Sequence, residues 1–198
     1  MDRRRLSWIV GALAVVAFVA IGLTQTKGDN KAPKANHFDL AAAQRRLAGA
    51  PAPLAALHAK ASTLVPDAQK TFSDQIDALK GHPIVVNKWA SWCGPCRAEF
   101  PVLQETSTKL GKQVAFVGLD ASDDDATART FLSQFPVPYP SYVDRNAHVA
   151  QKLGIGQSFP TTLYYDAKGK VAYVHQGSYA TAGAFERDIR RYAMRTAS

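Results

Sequence analysis

Cysteine is scarce in this chain: its 198 residues hold two, Cys93 and Cys96. Two thiols cannot build a disulfide scaffold, a four-cysteine zinc site or an all-cysteine iron–sulfur site. Histidine is thin as well. His37, His58, His82, His148 and His175 stand apart without ligand spacing, so no metal site is expected. A glycine-rich nucleotide motif is missing too. Gly154-Ile155-Gly156 runs into a proline segment instead of opening a helix after a strand, so no nicotinamide or flavin is expected. The chain has no internal repeat and no low-complexity tract. Its hydrophobic content of 46% is too high for a wholly disordered chain, and its length suits one globular domain plus an appendage.

The net charge is +8, but the basic residues are scattered: Arg3 to Arg5, Lys27 to Lys34, Arg45 and Arg46, then single sites. No stripe of the kind that tracks a nucleic acid emerges, so no nucleic-acid partner is expected. A basic surface facing anionic lipid is the use expected for the excess.

One segment lacks charge altogether. From Leu6 to Thr26 no charged residue occurs, a run of 21 residues. As a helix it would span roughly 31 Å, about the thickness of a hydrocarbon core. The exit Ile21-Gly22-Leu23-Thr24-Gln25-Thr26 offers no good small-x-small cleavage site, and no cysteine is placed for a lipid anchor. Residues 1–26 are therefore expected to be a short cytoplasmic tip and an uncleaved signal anchor. That makes a single-pass protein of the cell membrane, with the remaining chain outside the cytoplasm.

Residues 27–65 read as a linker followed by short helices. Thr24 to Asn36 is polar and lysine-rich. His37 to Val65 is alanine-rich, with helical spacing at Leu40, Leu47, Leu54, Leu57 and Leu64, interrupted by Pro51 and Pro53. Two short helices are expected, packed on the main domain or spacing it from the membrane.

Residues 66–198 form the main domain, where strand and helix signals alternate. Phe72, Ile76 and Leu79 make a helical stripe stopped by Gly81. Pro83 to Ala90 is a strand, and Phe100, Leu103 and Leu110 mark the helix after it. Gln113 to Leu119 is β-rich. Ser122 is expected to cap a helix that holds Asp123, Asp124 and Asp125 in its first turn and turns Phe131, Leu132 and Phe135 to the core. Tyr139 to Val143 reads as a short strand, and Val149 and Leu153 as a short helix. Thr161 to Tyr165 and Val171 to His175 flank Asp166-Ala167-Lys168-Gly169, a hairpin signal. A last helix runs from about Thr181, with Phe185, Ile189 and Tyr192 on one face.

The chemistry is concentrated at Cys93-Gly94-Pro95-Cys96, a C-x-x-C pair where a strand meets a helix. A thiol at a helix N-terminus faces unpaired N–H groups and positive potential. Both favour the thiolate, so Cys93 is expected to be exposed with a lowered pKa. Cys96 lies one turn on and deeper, placed to resolve a mixed disulfide at Cys93. Half a metal site is the competing reading, but no second pair exists. An inert disulfide is another, though so small a loop would stabilise weakly.

Trp89-Ala90-Ser91-Trp92-Cys93-Gly94-Pro95-Cys96-Arg97 resembles a thioredoxin active site, and Pro101 stands where thioredoxins kink the active-site helix. Ser158-Phe159-Pro160-Thr161-Thr162 resembles the segment whose cis-proline lies against the active-site sulfurs. The apolar N-terminus, Glu99 and the Tyr139–Val143 region resemble the membrane-anchored TlpA/ResA group of that superfamily. The Phe72–Leu79 helix is similar to thioredoxin's first helix.

The resemblance implies an α/β thioredoxin fold, a central mixed β-sheet flanked by helices, with a helix–strand insertion. It implies that Cys93 attacks and Cys96 resolves, and that Trp92, Gly94, Pro95, Phe159, Pro160 and Thr161 line a peptide-docking groove. Phe159–Pro160 would be cis and would leave a backbone edge for an extended peptide. Glu99 would relay protons for the cysteine pair; the plainer reading is a solvated helix carboxylate. Asn87 stands where cytoplasmic thioredoxins carry a buried acid, which shifts that burden to Glu99. Lys88 departs from the aromatic or aliphatic residue usual there. It reads as a snorkelling structural lysine, or, if close to Cys93, as a group tuning the thiol.

The expected function is thiol–disulfide exchange with exported proteins, in the reducing or editing direction because Gly94-Pro95 resembles reducing thioredoxins, with cytochrome c maturation implied by family analogy. No cofactor beyond the Cys93–Cys96 disulfide is expected. Partners would be exported thiols and disulfides, a membrane electron donor and the bilayer, and the chain would act as a monomer. The alternatives are a disulfide-introducing oxidant of the same fold and a non-catalytic peptide-binding or chaperone module.

Overall fold

In a computed structural model of the protein, residues 37–194 are described. The expected anchor over 1–26 and the linker up to residue 36 lie outside them. Among the described residues no helix is long and apolar enough to cross a membrane.

The elements run α1 (Leu40–Leu47), α2 (Ala52–His58), β1 (Leu64–Val65), α3 (Ala68–Ala78), β2 (Ile84–Trp89), α4 (Gly94–Leu110), β3 (Ala115–Ala121), α5 (Asp125–Gln134), β4 (Ser141–Asp144), α6 (His148–Lys152), β5 (Thr161–Tyr165), β6 (Val171–Gln176) and α7 (Ala182–Asp188). A π-helical turn, Ile189–Ala193, continues α7. The six strands form one mixed sheet in the order β1-β4-β3-β2-β5-β6. β1, β4, β3 and β2 are parallel neighbours, and β5 and β6 are antiparallel. Parallel neighbours need crossover connections, and helices supply them. The pair α5–β4 lies between β3 and β5 in the chain, and β4 enters the sheet between β1 and β3. That is the insertion the resemblance implies.

Side chains alternate across a strand, so β2 sorts its residues by face. Val85 and Trp89 join a cluster with Phe100 and Leu103 of α4, Phe131 and Leu132 of α5, and Phe185 of α7. Ile84 and Val86 join a second cluster with Leu54 and Leu57 of α2, Phe72 and Ile76 of α3, and Leu163 and Tyr165 of β5. Burying the sheet on both faces explains why β2 and β3 are buried at every position. Trp89 packs edge-on to Phe100 at 5.3 Å, and its indole N–H donates to Ser141 Oγ at 3.1 Å. Gly118 opposite Ser141 must lack a side chain, because a Cβ there would stand 2.1 Å from Ser141 Oγ.

The two short helices form where Pro51 and Pro53 divide the segment; Pro51 is the N-cap of α2. Both pack on the main domain, with Leu47, Leu54 and Leu57 buried. Leu64 does not continue that helical spacing. It pairs with Ser141 as the start of an edge strand, so the sheet reaches back before residue 66. Ser122 is not the cap of α5. It takes φ +55°, while Asp124 accepts from the N–H groups of Ala126 and Thr127. The hairpin forms as the turn residues dictate: Asp166 Oδ1 accepts from Lys168 and Lys170, and Gly169 takes φ +78°. Thr181 caps α7.

Candidate active site

β2 ends at Trp89, and Ala90-Ser91-Trp92-Cys93 leads into α4. The β3–α5 junction grips this loop. The N–H and Oγ of Ser91 both donate to the Asp123 carboxylate, and Ser91 Oγ also lies 3.2 Å from Thr127 Oγ1. Trp92 donates its indole N–H to Ser122 O at 2.9 Å. Arg97 donates to Ser91 O at 3.2 Å and lays its guanidinium over the Phe131 ring at 4.9 Å. Ser91, Arg97 and Asp123 were not among the expected site residues. The three-aspartate run is the only signal in the chain that could have pointed to Asp123, and helix-capping logic absorbs it.

Cys93 is the N-cap of α4, and its sulfur accepts from the Cys96 N–H at 3.1 Å. The two cysteines form a disulfide with Cα atoms 5.2 Å apart. Gly94 and Pro95 between them are exposed. The expected exposure of Cys93 is corrected: in the disulfide it is 3% exposed. Bonded to Cys96, it is drawn into the cluster around Trp89 and Phe100.

Glu99 follows three residues later on α4 and is 1% exposed, not solvated. Its Oε1 accepts from the Tyr179 backbone N–H at 3.2 Å and its Oε2 from Asn87 Nδ2 at 3.4 Å. Burial pushes its carboxyl up to about 7, against the pull of these two hydrogen bonds. Pro101 lies inside α4, which continues past it.

A second buried carboxyl, Asp120 of β3, lies on the same face of the sheet, opposite Trp89 in register. Burial, then the neighbouring Asp123, pushes it up to about 8. Its Oδ1 has no hydrogen-bond partner.

The Phe159–Pro160 peptide bond is cis, and Pro160 is buried. The Phe159 ring lies 5.0 Å from that of Trp92, so the two loops meet through aromatic contact. Trp92 is 59% exposed. A cleft of about 630 Å3 opens beside it, lined by Arg97, Asp124, Thr127 and Phe131. Thr161 does not line a groove. It is fully buried in β5 between β2 and β6, and its hydroxyl turns back to Ser158 O at 2.6 Å.

Lys88 neither snorkels nor joins the cysteines. It follows Asn87 in β2, so it points to the opposite face, and it is fully buried. Its ammonium donates to Ile155 O at 2.8 Å and Gly156 O at 2.6 Å and stands 3.9 Å above the Phe159 ring. Burial holds it down to about 8, with Asp144 opposing through space. Among the described residues no group of His, Cys, Asp and Glu is arranged to hold a metal ion.

The chain is 32% identical over 98 residues to the thiol-disulfide oxidoreductase ResA of Bacillus thuringiensis (strain Al Hakam), covering 49% of this chain and 56% of that protein. It is 37% identical over 94 residues to the thiol:disulfide interchange protein DsbE of Pseudomonas fluorescens biotype C, covering 47% of this chain and 51% of that one. It thus spans about half the length of these two relatives. Among solved structures, a DsbF homologue from Corynebacterium diphtheriae aligns with 59% of this chain and 75% of its own, at a TM-score of 0.51 and 28% identity. With the Redoxin family model matching residues 47–189, from the end of α1 through α7, the chain belongs to the Redoxin family.

Proposed function

We propose that this protein is a thiol–disulfide oxidoreductase that works outside the cytoplasm, tethered to the membrane by residues 1–26, and reduces or edits disulfides in exported proteins. The observation that carries this reading is the Cys93–Cys96 disulfide across the first turn of α4, beside the Trp92–Phe159 contact that leads into the cis bond.

In the reduced protein, the helix N-terminus and the Cys96 N–H favour a thiolate on Cys93. That thiolate attacks one sulfur of a substrate disulfide. The substrate S–S bond breaks, its other sulfur leaves and takes up a proton, and a mixed disulfide forms. Cys96 then attacks the Cys93 sulfur, which releases the second substrate thiol and closes the Cys93–Cys96 bond. Two electrons pass from the dithiol to the substrate. Glu99, with its carboxyl near 7, acts as the base that takes the Cys96 proton and later returns it. The docked segment uses the exposed Trp92 ring, the Gly94-Pro95 turn and the backbone edge at Pro160. A dithiol donor in the membrane must restore the reduced state, and no other cofactor is needed. Cytochrome c maturation is the setting that the TlpA/ResA resemblance implies for this activity.

A glutathione-equilibrium titration tests the direction. Gly94-Pro95 favours a midpoint below about −200 mV, which makes the dithiol a net donor. A midpoint of about −120 mV would replace the reductase with the oxidant reading. Full activity after both cysteines are changed to serine would leave the peptide-binding module.

A further inference from the structure

The exchange chemistry makes no use of the buried ammonium on the far side of β2. We propose that Lys88 is a positioning residue for peptide docking. It ties the segment Ile155–Phe159 to the central strand, and so holds the Phe159–Pro160 bend against Trp92. This inference rests on the exchange reading above and deepens it.

A lysine ammonium has three donors and no acceptor. Here two go to Ile155 O and Gly156 O, and the ammonium also rests on the Phe159 ring. Asp144 acts on it only through space, while its own oxygens accept from the N–H groups of Val149 and Ala150. The recipients lie in the connection from α6 to β5, which has no strand partner of its own. An amide carbonyl left buried and unpaired costs about 1–3 kcal/mol, so this connection needs a donor from elsewhere. Lys88 supplies it from a strand that is fixed on both sides, by Leu119 of β3 and Thr161 of β5.

The consequence reaches the substrate side through one ring. Phe159 has the Lys88 ammonium 3.9 Å from its centroid and the exposed Trp92 ring 5.0 Å away. The peptide bond that follows it is the cis bond to Pro160. Lys88 thus sets where Phe159 and Pro160 stand relative to Trp92 without touching substrate or sulfur. A peptide needs that surface, whereas a small disulfide needs only an accessible Cys93.

The test compares Lys88→Met with wild type on two substrates: insulin, a polypeptide disulfide, and bis(2-hydroxyethyl) disulfide, which has no peptide backbone. The KM for insulin should rise roughly tenfold, about the low end of what one hydrogen bond from a charged donor contributes, since the lost bonds act on docking only through Phe159. The rate with the small disulfide and the midpoint potential should stay within twofold and within error. An unchanged insulin KM, or an equal loss on both substrates, overturns the proposal. Wild type inert toward both substrates would instead overturn the exchange reading, and this inference with it. A second measurement needs no change at Lys88. On Cys96→Ser protein, the Lys88 Nζ resonance should shift when a cysteine peptide is trapped on Cys93 and stay in place when 2-mercaptoethanol is trapped. Equal resonances in the two adducts overturn the proposal as well.

Discussion

Asn87 and Lys88 are neighbours in β2 that look into opposite halves of the molecule, and the ionisable group at each, Glu99 beside Asn87 and Lys88 itself, is held differently. On the Asn87 side, Glu99 is held by two long hydrogen bonds, 3.2 and 3.4 Å, and its carboxyl is pushed up to about 7. On the Lys88 side, the ammonium is held by two short ones, 2.8 and 2.6 Å. A loosely held carboxyl can gain and lose a proton with little rearrangement. A tightly held ammonium cannot leave without stranding the buried Ile155 carbonyl. Glu99 is thus held loosely and Lys88 tightly, on opposite faces of one strand.

The largest effect should come from removing the group that changes state. Cys93→Ser should abolish exchange, by a factor of about a thousand or more, since the thiol that remains, Cys96, sits deeper in α4 and is buried away from substrate. Cys96→Ser should still attack but not resolve, so a mixed disulfide accumulates that mass spectrometry of the trapped adduct detects. In reduced wild-type protein, alkylation should be faster at Cys93 than at Cys96. Equal rates would deny Cys93 its place as attacking thiol.

Next comes the other buried carboxyl of the same face. Asp120 has its carboxyl raised to about 8 from an ordinary 3.8, mainly by burial. Below about pH 4 it is protonated in both folded and unfolded chains. As pH rises from there towards 8, the unfolded chain ionises and the folded one resists, so stability is lost across that window. Asp120→Asn should remove this slope and stabilise the protein at pH 7 by on the order of 2 kcal/mol. Glu99 slopes the same way between about 4.5 and 7, so some pH dependence should remain. Urea unfolding of both proteins at pH 5 and pH 8 checks this; parallel curves would mean that Asp120 ionises freely in the fold.

Glu99→Gln should have a smaller effect and a more diagnostic one. The exchange rate at neutral pH should fall roughly tenfold, at the weak end of what a positioned acid–base group contributes. The inflection near pH 7 in Cys96 reactivity should disappear. Stopped-flow alkylation between pH 5 and 9 reads it, and superimposable profiles would make Glu99 a structural carboxyl only.

Much of this site was legible because short-range rules wrote it. The C-x-x-C pair, the Asp166–Gly169 turn and the proline-divided helices state their geometry within a few residues, whereas the cis Phe159–Pro160 bond follows only from the resemblance to thioredoxins. What stayed hidden depends on partners far along the chain. Leu64 fits a helical spacing, and only Ser141, its partner in β4, makes it a strand. Glu99 is named as a relay by resemblance, but its own helix spacing fits a solvated carboxylate equally, and only the Tyr179 N–H eighty residues on encloses it. The β-rich run seemed to end at Leu119; β4 extends the pairing to Ala121 and so buries Asp120. Lys88 could not be placed from its own strand, because its acceptors arrive from the loop at Ile155 and Gly156.

The smallest expected effect lies at Trp92, the exposed ring that meets Phe159 from the solvent side. Trp92 touches Phe159 with its ring and Ser122 O with its indole N–H, the latter in an exposed setting. Trp92→Phe keeps an aromatic surface for Phe159 and for a docked peptide, and deletes one hydrogen bond that water can replace. The loss should be about 0.5–1 kcal/mol, or roughly a two- to fivefold rise in the KM for insulin, with no change in midpoint potential. Trp92→Ala removes the ring itself and should cost more, because the Phe159 ring then loses its aromatic neighbour. The order matters more than either value. If Phe159 is positioned chiefly from the Lys88 side, Trp92→Phe must cost less than Lys88→Met in insulin KM. The reverse order would mean that the Trp92 hydrogen bond, and not the buried ammonium, sets the docking surface, and the contrast between a tightly held Lys88 and a loosely held Glu99 would carry no consequence for docking.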